Sequence, residues 1–126
     1  MIKNPLVSVI TVTFNAQQYI EQTIESVLAQ TYQYVEYIII DGGSTDGTVD
    51  IIRRYAERLS YWVTEKDNGI YDAMNKGIRH AKGELIGMVN ASDSYENDTI
   101  QAVVDAYRLH PENGVFHGNI NMLNED

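Results

Sequence analysis

Four short polar segments carry most of the side chains that could do chemistry in this chain. They are Thr13-Phe14-Asn15, Asp41-Gly42-Gly43, Glu65-Lys66-Asp67 and Asn90-Ala91-Ser92-Asp93. Each directly follows an apolar run. All but the first carry a carboxylate, and the first carries Asn15. Clustered carboxylates can accept hydrogen bonds from a ligand's N–H or O–H groups, or hold a hard divalent cation through oxygen. Magnesium or manganese bridging a diphosphate needs only one or two protein carboxylates. Asp41 comes straight after three isoleucines, so its carboxylate is partly desolvated and needs a partner. That partner is either a ligand or the backbone N–H groups of the glycine-rich turn behind it. Asp93 has the same two options, as a ligand or as a helix cap or loop acid.

Other chemistries find no support. There are no cysteines, which excludes a thiolate nucleophile, a thiolate zinc site and a disulfide scaffold. His80, His110 and His117 are scattered and show no metal-ligand spacing. The glycines at 42, 43 and 47 do not have P-loop spacing, and no lysine follows the last of them. No Gly-x-Ser-x-Gly elbow is present. Arg53, Arg54 and Arg58 share one helix and are read as facing water.

The four segments need elements to position them. Leu6–Phe14, Val35–Ile40, Tyr61–Val63 and Glu84–Val89 read as strands, rich in Val and Ile and apolar on both faces. Between them, apolar residues recur at helical spacing. Ile20, Ile24, Val27 and Leu28 mark one helix, and Val49, Ile52, Tyr55, Ala56 and Leu59 a second. Ile70, Ala73, Met74, Gly77, Ile78 and Ala81 mark a third, and Ile100, Val103, Val104 and Tyr107 a fourth. Ser44, Thr45 or Asp46 caps the second helix. Val115-Phe116 starts a fifth strand. The alternation predicts an α/β fold, three layers with a mostly parallel, Rossmann-like sheet between helices. In such sheets ligands bind at the carboxyl ends of the strands, where Asn15, Asp41, Asp67 and Asp93 are expected to converge.

At 126 residues the chain is long enough for a single domain, 1–126. It is 44% hydrophobic and 21% charged, as globular proteins are. Its net charge of −9 is uneven, since Arg108 is the only lysine or arginine from Glu84 onward. A basic patch for nucleic acid is therefore not expected. No apolar run is long enough to span a membrane, and the N-terminus lacks a signal-peptide pattern.

Taken in order, the segments resemble family 2 glycosyltransferases of the GT-A fold. The resemblance covers about Pro5 to Asn121. It rests on Val7-Ser8-Val9-Ile10-Thr11-Val12-Thr13-Phe14-Asn15, on Asp41-Gly42-Gly43-Ser44-Thr45-Asp46-Gly47-Thr48, on Asp67-Asn68-Gly69-Ile70-Tyr71-Asp72-Ala73-Met74-Asn75-Lys76-Gly77-Ile78, and on Asn90-Ala91-Ser92-Asp93. The chain departs from the family pattern at Val12, where the family has proline, at Phe14, where it has tyrosine, and at Ser92, where it has an acid.

The resemblance implies the nucleotide-sugar-binding half of a bacterial inverting glycosyltransferase of polysaccharide or cell-envelope biosynthesis. The donor is a nucleotide-diphosphate sugar, expected to be UDP-linked, and the acceptor a saccharide or a lipid-linked saccharide. Asp41 accepts from the base, Thr13 and Asn15 line the same pocket, Asp67 lies near base and ribose, and Asn90 belongs to the nucleotide site. Mg or Mn is held by Asp93, the acid remaining in the fourth motif. The acceptor-binding half and the catalytic base are expected beyond Asp126, so the chain alone is expected to be inactive. Its place is cytoplasmic, with peripheral attachment at the inner membrane face. The alternative is a short homologue without catalysis that acts as a nucleotide-binding or interaction module.

Overall fold

The computed structural model describes residues 4–109 and, by backbone, 121–122. The first strand, β1 (Val7–Thr13), is buried along its whole length. It leads through α1 (Ile20–Leu28) to β2 (Val35–Asp41), and through α2 (Thr48–Arg54) and a 3-10 turn (Ala56–Arg58) to β3 (Tyr61–Thr64). Then come α3 (Ile70–His80), β4 (Leu85–Met88), a two-residue strand β5 (Asp93–Ser94) and α4 (Thr99–Leu109). A short β6 (Asn121–Met122) pairs antiparallel with β5.

The main sheet has the order β3-β2-β1-β4, and every pairing in it is parallel. This is the α/β architecture expected from the apolar runs. Side chains alternate across the sheet. Val7, Val9, Tyr37 and Ile39 pack with α1, α2 and α4 through Ile20, Ile24, Ile51, Ile52, Ile100 and Val104. Ile10, Val12, Ile38 and Ile40 face the other way, against Ala73 of α3. The sheet is thus sandwiched, with three helices on one face and one on the other.

Register fixes where the site can be. Thr13 pairs with Asp41, and Asp41 with Thr64, so the carboxyl ends of β1, β2 and β3 end in one row. β4 stops opposite Ile10, and the Val89 N–H continues the ladder to the Ile10 carbonyl. Strand order reverses between β1 and β4, the topological switch point at which such sheets leave a crevice.

Two elements differ from the sequence expectation. The second helix does not run unbroken to Leu59. It ends at Arg54, and the Tyr55 N–H bonds back to Ile52, tightening the chain into the 3-10 turn. There the Tyr55 hydroxyl donates to Glu25 at 2.6 Å and Glu21 at 3.1 Å on α1, which ties the two helices together. The helical stripe of α3 is narrower than its periodicity suggests. Ala73 and Gly77 are buried, whereas Ile70 and Ile78 are 47% and 43% exposed. The expected fifth strand at Val115-Phe116 lies outside the described residues, as do His110, His117, Glu125 and Asp126.

Candidate nucleotide-binding site

A cleft of about 480 Å³ opens at the carboxyl ends of the parallel strands. Val12, Thr13 and Phe14 from β1 and its end form one wall. Gly42 forms the floor beyond β2, and Lys66, Asp67, Gly69 and Ile70 the wall between β3 and α3. Ala73 and Asn90 close the list of lining groups. The size suits a drug-sized organic ligand, and the lining has the usual composition, mostly apolar with a few polar groups.

Thr13, Asp67 and Asn90 line this cleft, as three of the nucleotide-site residues named from sequence. The Thr13 hydroxyl is the most telling of them. The residue is 7% exposed, and its Oγ1 has no hydrogen-bond partner among the described residues. A buried hydroxyl left unpaired is costly unless something that enters the cleft pairs with it. The Asp67 carboxylate is half-buried, and one oxygen accepts from the Gly69 N–H at 3.1 Å. Gly69 has φ +110°, a conformation open mainly to glycine, which lets α3 begin at the cleft wall.

Asp41 and Asn15 are not among the residues lining the cleft; Asp41 faces inward, and Asn15 is exposed on the neighbouring loop. Asp41 is fully buried. Its Oδ2 accepts from the N–H groups of Gly43 (3.1 Å) and Ser44 (2.8 Å) and from the Thr64 hydroxyl (2.7 Å). Its Oδ1 accepts from the Ser44 hydroxyl at 2.6 Å. A carboxylate has about four lone-pair sites, so this one is close to saturated by its own loop. Ser44 in turn accepts from the Asn15 N–H at 2.7 Å, and Asn15 Oδ1 accepts from the Thr45 N–H at 2.8 Å. Asn15 holds φ +48°, a left-handed conformation that asparagine tolerates better than most residues. The loops after β1 and β2 are therefore stitched together.

The same stitching continues into α2. Asp46 Oδ1 accepts from both the N–H and the hydroxyl of Thr48, at 3.0 and 2.6 Å. The N-cap position of that helix is held by Gly47 and not by Ser44, Thr45 or Asp46, so Asp46 acts through an Asx turn. These bonds stabilise the charged form and hold the Asp46 carboxyl below its usual range, the Thr48 hydroxyl contributing most.

Asp93 lies in β5 after the β4 end, 5% exposed, and is not among the residues lining the cleft. Its N–H bonds to the Asn90 carbonyl at 2.9 Å, and its own carbonyl accepts from Thr23 of α1 at 2.6 Å. Among the described residues no group of three His, Asp or Glu side chains could hold a metal ion. A cation carried by a diphosphate and keeping its waters can bind through one protein carboxylate, so the chemistry of the donor set permits it at Asp93.

Sequence reasoning named the Glu65-Lys66-Asp67 segment, weighed Gly42 only as part of a weak phosphate-loop signal and put Ile70 on a helix stripe, but gave no site role to Lys66 or Ile70; all three line the cleft. Lys76, nearby on α3, is paired with Glu65 at 2.9 Å and Asp72 at 4.0 Å, and Glu65 above all raises its pKa. The Lys66 ammonium has no carboxylate within ion-pair range among the described residues. Phe14 stands 61% exposed at the cleft mouth, with Ile70 across from the β1 wall.

The sequence profile of the family described as "Glycosyl transferase family 2" matches residues 8–121. The chain belongs to glycosyl transferase family 2. An uncharacterised glycosyltransferase of Mycobacterium tuberculosis (strain ATCC 25618 / H37Rv) is 41% identical over 108 residues, covering 84% of this chain and 41% of that protein. A Bacillus subtilis (strain 168) glycosyltransferase, TuaG, whose name assigns it to teichuronic acid biosynthesis, is 40% identical over 100 residues. That match covers 77% of this chain and 40% of TuaG. The chain therefore spans less than half the length of these relatives.

Among solved structures, a mannosyltransferase from Pyrobaculum calidifontis, PcManGT, determined with GDP-Man and Mn2+, superposes with a TM-score of 0.77 at 32% identity. It covers 83% of this chain and 33% of that one. S. aureus TarS with UDP-GlcNAc superposes with a TM-score of 0.78 at 24% identity, covering 84% of this chain and 32% of that one, a likeness of fold. The fold is that of GT-A glycosyltransferases, and no described helix is long and apolar enough to cross a membrane.

Proposed function

We propose that this chain binds the nucleotide end of a nucleotide-diphosphate sugar, UDP-linked, as the donor domain of an inverting glycosyltransferase acting on a saccharide or lipid-linked acceptor. The carrying observation is the cleft at the strand ends, whose lining includes both Thr13, with its buried hydroxyl unpartnered among the described residues, and Asp67. Family membership and the nucleotide sugars held by PcManGT and TarS support it.

Within this reading the residues divide their work. Phe14 and Ile70 flank the flat faces of the base. Thr13 supplies a hydroxyl that can donate or accept, Asp67 accepts from a nucleoside N–H or O–H, and Asn90 contacts the ribose. Lys66 faces the anionic diphosphate. Asp41 and Asn15 hold the turns that form the floor and wall, a supporting role in place of direct contact with the base. A divalent cation, when bound through Asp93, neutralises charge on the departing diphosphate. The base that deprotonates the acceptor is not one of the cleft residues. The domain, 1–126, works at the cytoplasmic side, at the inner membrane face where lipid-linked acceptors lie.

Calorimetric titration with UDP, GDP and each with magnesium or manganese tests this. UDP is expected to bind more tightly than GDP, and the metal to tighten it further, with Asp93→Ala removing most of the metal gain. If neither nucleotide binds, the proposal is overturned. Equal metal enhancement in wild type and Asp93→Ala rejects Asp93 as the metal ligand.

A further inference from the structure

We infer that Gly42 is a positioning residue, whose missing side chain seats the Asp67 carboxylate in the nucleotide cleft. The inference rests on the nucleotide reading above and extends it to a residue that touches no reacting atom.

A Cβ built on Gly42 would lie 2.9 Å from Asp67 Oδ2 and 3.3 Å from both Cγ and Oδ1. Gly42 is buried, and its φ is not in the left-handed region, which holds only Gly43 and Gly69 among the described glycines. Its backbone conformation is therefore open to other residues, and the Asp67 carboxylate is what occupies the space a side chain would need. On its other side that carboxylate is held by the Gly69 N–H at 3.1 Å. Gly42 itself is anchored by its N–H to the Thr13 carbonyl at 2.9 Å. Two glycines thus set one carboxylate. Asp41, the acid next to Gly42 in sequence, is occupied by its own turn. The acceptor presented to the ligand therefore comes from the loop between β3 and α3, folded over the end of β2.

The consequence is a separation of effects. A methyl group at position 42 meets the flexible tip of a side chain, not backbone. Restoring ordinary van der Waals contact needs the carboxylate to move by roughly half an ångström or to rotate away. Stability changes little, but hydrogen bonds weaken steeply as their length and angle degrade.

The test is a cycle of Gly42→Ala, Asp67→Ala and the double variant, each titrated with UDP plus magnesium and melted without ligand. Gly42→Ala is expected to weaken UDP binding roughly tenfold with an unchanged melt, on the scale of a charge-assisted hydrogen bond. In the Asp67→Ala background the same change is expected to have no effect on affinity. Equal losses from Gly42→Ala in both backgrounds, or a Gly42→Ala protein that binds normally or melts much lower, overturn the inference alone. An Asp67→Ala protein that binds UDP as wild type does overturns both the role of Asp67 and this inference. Wild type that binds no nucleotide overturns both the inference and the proposed function. Repeating the titration with 2′-deoxy-UDP identifies the donor. If Asp67→Ala no longer distinguishes it from UDP, Asp67 reads the ribose 2′-hydroxyl; if the distinction persists, it reads the base or the 3′-hydroxyl.

Discussion

The two polar regions at the carboxyl edge of the sheet are built from similar residues and are in opposite states. In the loops after β1 and β2, Asn15, Asp41, Ser44, Asp46 and Thr48 satisfy one another, and Asp41 alone accepts four hydrogen bonds. In the cleft lining, Thr13 is buried without a partner and Lys66 has no carboxylate in ion-pair range, both among the described residues. Saturated polar groups make a rigid frame. Groups left open in a cleft are ready for something else. Acidity and proximity to a strand end do not distinguish the two; hydrogen-bond saturation does.

The largest effect that would sharpen this contrast is on stability. Asp41→Ala strands two half-buried N–H groups and two hydroxyls, and each donor left unsatisfied away from water costs about 1–3 kcal/mol, though not additively. Urea denaturation is expected to show a loss of roughly 3 kcal/mol or more. A loss below about 0.5 kcal/mol, the range of ordinary surface changes, would break the comparison.

Asn15→Ala comes next, since alanine loses the bond to Thr45 and sits poorly at φ +48°. A loss of about 1–2 kcal/mol is expected. Asn15→Gly should recover the conformational part, and no difference between the two variants would remove strain from the account.

Thr13→Val is expected to behave in the opposite way. Replacing an unpartnered buried hydroxyl with a methyl leaves the melt unchanged or slightly higher, while UDP affinity falls by roughly 2- to 12-fold for a neutral hydrogen bond. A destabilised Thr13→Val would mean the hydroxyl has a structural partner after all.

The smallest effect is on pH dependence. Burial, and then the nearby Asp93 charge, push the Tyr95 hydroxyl up to about 12 from its ordinary 10. A raised tyrosine pKa contributes stability that is complete below pH 10 and is lost as the pH rises through 12. Melts in alkaline buffer should therefore fall across that window, and Tyr95→Phe should flatten part of the fall.

Much of the frame was legible before any coordinates. The runs VSVITV, VEYIII and ELIGMV pointed to the parallel α/β architecture; β1 is covered on both faces, whereas Ile86 of the edge strand β4 is 46% exposed. The break at Tyr55 was not legible, because it depends on Glu21 and Glu25 in a different helix. Ile51 was missed from the buried stripe of α2 for a similar reason, as the helix packs against α1 over a wider face than one row. At the site, strand-end position pointed to Thr13, Asp67 and Asn90, and these three line the cleft. It left Asp41 between a ligand and the N–H groups of its own turn, and could not foresee that the Thr64 hydroxyl, from another strand, adds to the turn's donors. Nor could it give Gly42 a role, since that role depends on the approach of Asp67 from another loop.

The central claim is that Asp67 faces the ligand while Asp41 holds the frame. Titration of UDP with magnesium into Asp67→Ala and Asp41→Asn, each with a ligand-free melt, tests it most directly. Asp67→Ala is predicted to lose roughly 10- to 150-fold in affinity, the value of a hydrogen bond to a charged group, with an unchanged melt. Asp41→Asn is predicted to melt lower, because the amide brings a donor to a site surrounded by donors, with the smaller change in affinity. An Asp41→Asn protein that melts like wild type and loses UDP binding, beside an Asp67→Ala protein that keeps it, would contradict the account and return base recognition to Asp41.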